Sequence, residues 1–436
     1  MQPDRGQTGY VHVIATGRSA WCPSLVRSLV VLIALTRLAS ATPSDDAVTA
    51  AMTALVSQDF ASVASAYEPA TAPSVRDIAT TWHAKTAGLG AAVSWAITDR
   101  TRQDGFDTRM VRIELEHGAL VCLVSVAPDS HRLVSMFIAK PAAPARYVDH
   151  ARFHDERVSI GAAPYVLGAT LSVPAGRGPF PAVVLVHGSG PNDRDETVGS
   201  TKVFADIAEG LASAGIVALR YDKRTFSYGD KLTNALSLDD EVIDDAVAAV
   251  RFVAARHDVS KTVVIGHSLG GLLAPEIGVR AKAVAGVVLL APPGRAPWDI
   301  VLGQMRYLHA PTASLRELER AITVIDIGGS ADILGMPFSY WHDWSQRDGV
   351  AMAKQLGKPV LVVHGDRDYQ VLDADIAVWR AGLAATKLAS FVTLAGDNHL
   401  LVTGRGAPDP IEYKLPAHVD ARAIDQIIRF VISTSR

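Results

Sequence analysis

Two apolar patterns succeed one another along this chain of 436 residues. From residue 182 onward, short uninterrupted apolar runs recur at 182–186, 216–219, 263–265, 287–290 and 360–363, and 391–394 reads as the next strand. Runs without polar alternation are what strands buried on both faces of a parallel sheet require. Between them lie stripes at helical spacing: Val203, Phe204, Ile207 and Leu211, closed by Gly215, and then Val242, Ile243, Ala246, Val247 and Val250. Strand and helix therefore alternate, which predicts a doubly wound α/β sheet. Residues 158–160 and 165–173 read as antiparallel edge strands leading into it.

Residues 42–140 carry a different pattern, helices first and strands afterwards. Ser44 and Asp45 can cap a helix through Leu55, Phe60 begins a second, and Ser74 can cap a third reaching Thr86. Val111, Ile113 and Leu115 then alternate with Arg112, Glu114 and Glu116, the period of a half-buried strand. Runs at 119–126 and 133–138 flank the turn Pro128-Asp129-Ser130 and predict a hairpin. This is a small α+β domain; Trp82 and His83 read as packing and surface residues. Pro141, Ala142, Ala143 and Pro144 suit a linker, so the second domain is expected over 145–436.

Ahead of both lie Arg18 and Arg27, the apolar run 29–35, and Ala39-Ser40-Ala41. That order predicts a signal peptide over 1–41, cleaved after Ala41, and an exported protein, periplasmic or secreted. The run is too short to span a bilayer, so no stable membrane anchor is expected. Cleavage would remove Cys22 and leave Cys122, which excludes an internal disulfide. Composition narrows the partners: 49% apolar residues can fill a large core, and 42 basic against 45 acidic residues offer no positive field for nucleic acid or anionic lipid.

Candidate chemistry starts at Val263-Val264-Ile265-Gly266-His267-Ser268-Leu269-Gly270-Gly271, where an apolar strand runs into a glycine-flanked serine. Leu269, Leu272, Leu273 and Ile277 follow at helical spacing, so Ser268 sits on a strand-to-helix turn that lifts its hydroxyl above the sheet. The turn leaves no room for side chains two positions away, hence Gly266 and Gly270. Partners for a serine nucleophile belong in loops beyond the carboxyl ends of later strands. One such loop, from His364 to Val371, holds two candidate acids, Asp366 and Asp368; the loop after 391–394 holds His399. His418 competes for the base but matches no strand-end loop. His267 should point away from the nucleophile, and His187 should shape the loop after 182–186 by hydrogen bonding.

These stretches, with His187 to Asp195, Arg220 to Thr225 and Pro337 to Trp344, resemble bacterial α/β-hydrolases of the esterase and dienelactone-hydrolase-like group over about residues 150–436. The resemblance implies an α/β-hydrolase fold. Its G-x-x-D pattern selects Asp368 over Asp366. The order Ser268, Asp368, His399 is that of the superfamily. The oxyanion donors expected are the N–H of Leu269 and that of Ser189 or Gly188. The preceding domain resembles one of uncharacterised function.

Residues 294–355 leave the alternating pattern and predict a helical cap over the site, with Trp298, Tyr307, Phe338, Tyr340, Trp341 and Trp344 packing it and some lining an acyl pocket. The expected activity is hydrolysis of small-molecule carboxylic esters through an acyl-enzyme on Ser268, with no metal or organic cofactor. An acyl-CoA thioesterase or serine aminopeptidase would use the same machinery, since the leaving group is chosen in the cap. A non-catalytic binding protein is the third class.

Overall fold

The computed structural model describes residues 42–103, 106–141, 145–199, 201–229, 232 and 237–434. The expected signal peptide and the centre of the expected linker lie outside them. The described residues form two compact units that meet in sequence between Pro141 and residue 145.

In the first unit, helices α1 (Pro43–Val56), α2 (Phe60–Ser65) and α3 (Val75–Thr86) precede an antiparallel sheet of β1 (Ala92–Gln103), β2 (Phe106–Leu115), β3 (Gly118–Val126) and β4 (Leu133–Ala139) in that order. Val48, Met52, Leu55, Trp82, Val111, Ile113, Leu120 and Val124 fill its core. The cap of α1 differs from the expected one. Thr42 accepts from the Asp45 N–H at 3.2 Å while the Asp45 carboxylate accepts from the Thr42 N–H at 3.2 Å, a reciprocal capping box with Pro43 in the first turn. Ser44 instead donates to Asp107 Oδ2 at 2.7 Å. Strand β1 has no counterpart in the sequence reading: Val93, Trp95 and Ile97 alternate with polar or small residues, but the alternation stops at Asp99 and Val93 is 68% exposed. Trp82 is buried and His83 exposed, its ring edge-on to Phe60. Cys122 is buried on β3, and burial pushes its thiol pKa up.

The second unit is built on an eight-stranded sheet. Its strands are β5 (Phe153–Ala162), β6 (Tyr165–Pro174), β7 (Phe180–Val186), β8 (Val217–Tyr221), β9 (Val259–His267), β10 (Val284–Leu290), β11 (Val360–Gly365) and β12 (Ala389–Leu394). They lie side by side as β12-β11-β10-β9-β7-β8-β6-β5. The six from β7 to β12 are parallel, while β5 and β6 pair antiparallel at one edge. Because side chains alternate across a strand, β7 feeds two cores. Val184 and Val186 meet α6 (Asp244–Ala254) and α7 (Leu269–Ala281) on one face. Val183 and Leu185 meet α4 (Val203–Ser213) and the terminal helix (Ala421–Thr434) on the other.

After β10 come four helices, Pro297–Tyr307, Thr312–Asp326, Phe338–Ser345 and Gly349–Leu356, which form the cap. Most of its aromatics pack rather than face a ligand. Trp341 is buried, donates Nε1–H to the Ile333 carbonyl at 3.1 Å and stacks on Trp344 with centroids 5.9 Å apart.

Candidate active site

Ser268 occupies the single residue between β9 and α7, with φ 52° and ψ −119°. A non-glycine residue at positive φ is strained, and surrounding structure must hold it there. Its N–H donates to the Leu290 carbonyl at 2.8 Å. Crowding explains the flanking glycines: a Cβ on Gly266 would lie 2.0 Å from the Gly270 oxygen, and one on Gly270 2.3 Å from the Val186 oxygen. Leu269 is the first residue of the following helix, so its N–H has no acceptor within the helix.

The loops after β11 and β12 bring the acid and the base together. His399 Nδ1–H donates to Asp368 Oδ2 at 2.7 Å, and both side chains are buried. The other carboxylate oxygen of Asp368 accepts from the N–H groups of Gln370 at 2.7 Å and Val371 at 2.9 Å, which fixes its rotamer. Asn398 steadies the base loop by accepting from the Leu400 N–H at 3.0 Å. Asp366, two residues earlier, is exposed and accepts from the Gly396 N–H at 2.7 Å. It therefore ties its loop to the loop that carries His399.

The third wall is the loop after β7. A Cβ on Gly188 would come within 3.2 Å of the Ser268 Cβ, so this backbone lies directly against the serine. One of the two expected donors is already engaged: the Gly188 N–H donates to Glu196 Oε1 at 2.8 Å, which corrects the alternative offered for that position. Ser189 is exposed beside it. His187 Nε2–H donates to the Asp193 carbonyl at 3.0 Å within the same loop. Burial pulls the His187 pKa down to about 4, although Glu196 works against this.

His267, expected to point away from the nucleophile, packs its ring against that of His399, with centroids 4.7 Å apart. Its Nε2–H donates to the His399 carbonyl at 3.0 Å, and its Nδ1 lies 3.0 Å from Glu196 Oε2. Burial pushes the Glu196 carboxyl up, but His267, His187 and the Gly188 N–H together outweigh it and leave its pKa below the usual carboxylate value. Burial likewise pulls His267 down, and Glu196 more than reverses it. His418 pairs with Asp206 at 2.8 Å, which explains it structurally.

Glu196, Lys223 and Glu241 escaped the sequence reading, though all three are buried against this wall or behind it. The available signal was position: Lys223 follows the apolar strand β8 by two residues, where an ionisable group must be buried with a partner. Among the described residues no group of three or more His, Cys, Asp or Glu side chains could hold a metal ion, and no helix is long and apolar enough to cross a membrane.

Residues 178–324 match the family described as serine aminopeptidase, S33. Esterase EstD of Thermotoga maritima is 36% identical over 370 residues, covering 82% of this chain and 88% of that protein. Among solved structures, Est1E from Butyrivibrio proteoclasticus aligns at 18% identity and a TM-score of 0.43 over 64% of this chain and 98% of its own. An esterase of Pyrococcus furiosus aligns at 15% identity and a TM-score of 0.44 over 65% and 92%. With 36% identity over 88% of the Thermotoga enzyme, the chain belongs to the α/β-hydrolase esterases and is a carboxylesterase-type hydrolase.

Proposed function

We propose that the protein hydrolyses small-molecule carboxylic esters by a double displacement on Ser268. The observation that carries this reading is the buried 2.7 Å bond from His399 Nδ1–H to Asp368, on adjacent strand-end loops beside a serine at positive φ. A serine hydroxyl is a poor nucleophile at neutral pH until an imidazole accepts its proton. With Nδ1 committed to Asp368, the free Nε2 of His399 is the basic nitrogen, and it takes the Ser268 proton as Oγ adds to the carbonyl carbon. Asp368 stays ionised and stabilises the imidazolium. The oxyanion is met by the N–H groups of Leu269 and Ser189. His399 then protonates the departing alcohol, and water, deprotonated by the same nitrogen, releases the acid.

The family described as serine aminopeptidase covers residues 178–324 and so motivates a second reading, cleavage of an aminoacyl amide on the same serine. A panel of p-nitrophenyl esters, acyl-CoA thioesters and aminoacyl anilides separates the classes. Ser268→Ala is expected to lower ester turnover by several orders of magnitude and abolish fluorophosphonate labelling with the fold intact. Labelling that survives the substitution would sink the assignment.

A further inference from the structure

The peptide that joins Gly188 to Ser189 has a buried cation on its far side. Lys223 Nζ, on a side chain only 2% exposed, donates to the Gly188 carbonyl at 2.8 Å and to Glu241 Oε1 at 2.5 Å. Asn192 Nδ2 also reaches that carbonyl, at 3.3 Å, as a neutral and longer contact. The same buried carboxylate accepts from the Tyr340 hydroxyl of the cap at 2.9 Å through Oε2. Glu241 lies on a single π-turn, Asp239–Ile243, a distortion frequent at functional sites.

Stability does not account for this arrangement. Burying an ion pair costs desolvation that its attraction often fails to repay, and apolar residues of similar size are commonly as stable. What the ammonium does have is a position. In a trans peptide the C=O and N–H point in opposite directions, so a cation at the Gly188 oxygen faces one end of a dipole whose other end is the Ser189 N–H. In a low-dielectric surrounding, a charge on the acceptor end polarises the donor end and strengthens the bond it makes. The Glu196 carboxylate, holding the Gly188 N–H, fixes the preceding peptide, so the unit cannot rotate to relieve the arrangement.

We propose that Lys223 is a positioning residue for the oxyanion, acting through the Gly188–Ser189 peptide: it orients that peptide and makes the Ser189 N–H a stronger donor. The inference rests on the assignment of Ser268 as nucleophile. Glu241 holds the ammonium in place, and Tyr340 links that carboxylate to the cap.

The test compares an oxygen ester with the thionoester that shares its acyl and leaving groups, because sulfur accepts hydrogen bonds poorly and gains little from a strong donor. Lys223→Met strands the Glu241 charge, so Lys223→Met/Glu241→Gln, which removes both charges, is the principal variant. Its oxyester kcat is expected to fall about ten- to a hundredfold, less than the loss of a whole donor, with KM within about twofold. The thionoester rate falls less, so the oxygen-to-sulfur ratio of kcat/KM narrows by about fivefold or more. Lys223→Gln, which keeps a neutral donor to the carbonyl, should give an intermediate ratio. General loosening of the site would lower both substrates alike; a folded variant of either kind with an unchanged ratio overturns the proposal. Ser268→Ala is run in parallel. Turnover remaining there means the nucleophile is misassigned, whereas a silent Ser268→Ala with an unchanged ratio in the Lys223 variants defeats this inference alone.

Discussion

Two carboxylates a residue apart show how much depends on the direction of a single side chain. Asp368 is buried and spends one oxygen on His399 and the other on two amides, whereas Asp366 is exposed and bonds one amide of the next loop. Asp368→Asn should lower kcat by roughly 10⁴, because an amide in that place favours the wrong imidazole tautomer. Asp366→Asn should leave the rate near that of the intact protein and cost at most about 1 kcal/mol of stability. Steady-state kinetics and thermal melts on both variants check this, and a larger rate loss in Asp366→Asn reverses the roles. His187 supplies a prediction in pH. Its folded pKa of about 4 lies below the ordinary 6.5, chiefly through burial, with Glu196 opposing, Lys223 reinforcing and Asp222 opposing weakly. The unfolded chain therefore takes up a proton first, so this contribution is complete above 6.5 and is lost as the pH falls toward 4, by up to about 3 kcal/mol. His187→Gln, which retains a donor for the Asp193 carbonyl, should show a flatter decline of Tm across that window. Parallel declines would remove His187 as the cause.

At the level of elements, the parallel sheet was legible because strands buried on both faces leave apolar runs, and each stretch from 182–186 to 391–394 falls within a strand but for Ile216, which immediately precedes β8. The elbow was legible for a steric reason that the backbone bears out: a Cβ on Gly266 or Gly270 would meet a carbonyl oxygen at 2.0 or 2.3 Å, inside the 3.0 Å that a Cβ tolerates. Strand β1 went unread although Val93, Trp95 and Ile97 alternate, because its second half, from Thr98 to Gln103, carries no apolar residue. The cap of α1 was misread by two or three positions, because Thr42, Ser44 and Asp45 are all capable capping residues and only Pro43, favoured in a first turn, distinguishes Thr42. Buried charge was hardest to foresee. Whether Lys223 meets Glu241 or solvent depends on contacts 18 residues apart in the chain, and no local pattern encodes such a pairing.

Across the hydrolase unit, the three proposed catalytic residues stand at 268, 368 and 399, on loops that follow β9, β11 and β12 of one parallel sheet. Parallel strands form no local hairpins, so each must wait for the chain between it and its neighbour. During synthesis the serine therefore leaves the ribosome well before its acid and base exist. On the proposed assignment a nascent chain would carry a chemically silent hydroxyl until β12 and the terminal helix dock. Ribosome-arrested chains of increasing length, probed with a fluorophosphonate, should stay unlabelled when they stop between residues 268 and 399 and become labelled once the helix ending at Thr434 is free of the tunnel. Labelling of a chain that ends before residue 368 would show that the serine is activated without either partner. If the silence holds, the cell meets this hydrolase only as a finished sheet, never as a half-made nucleophile.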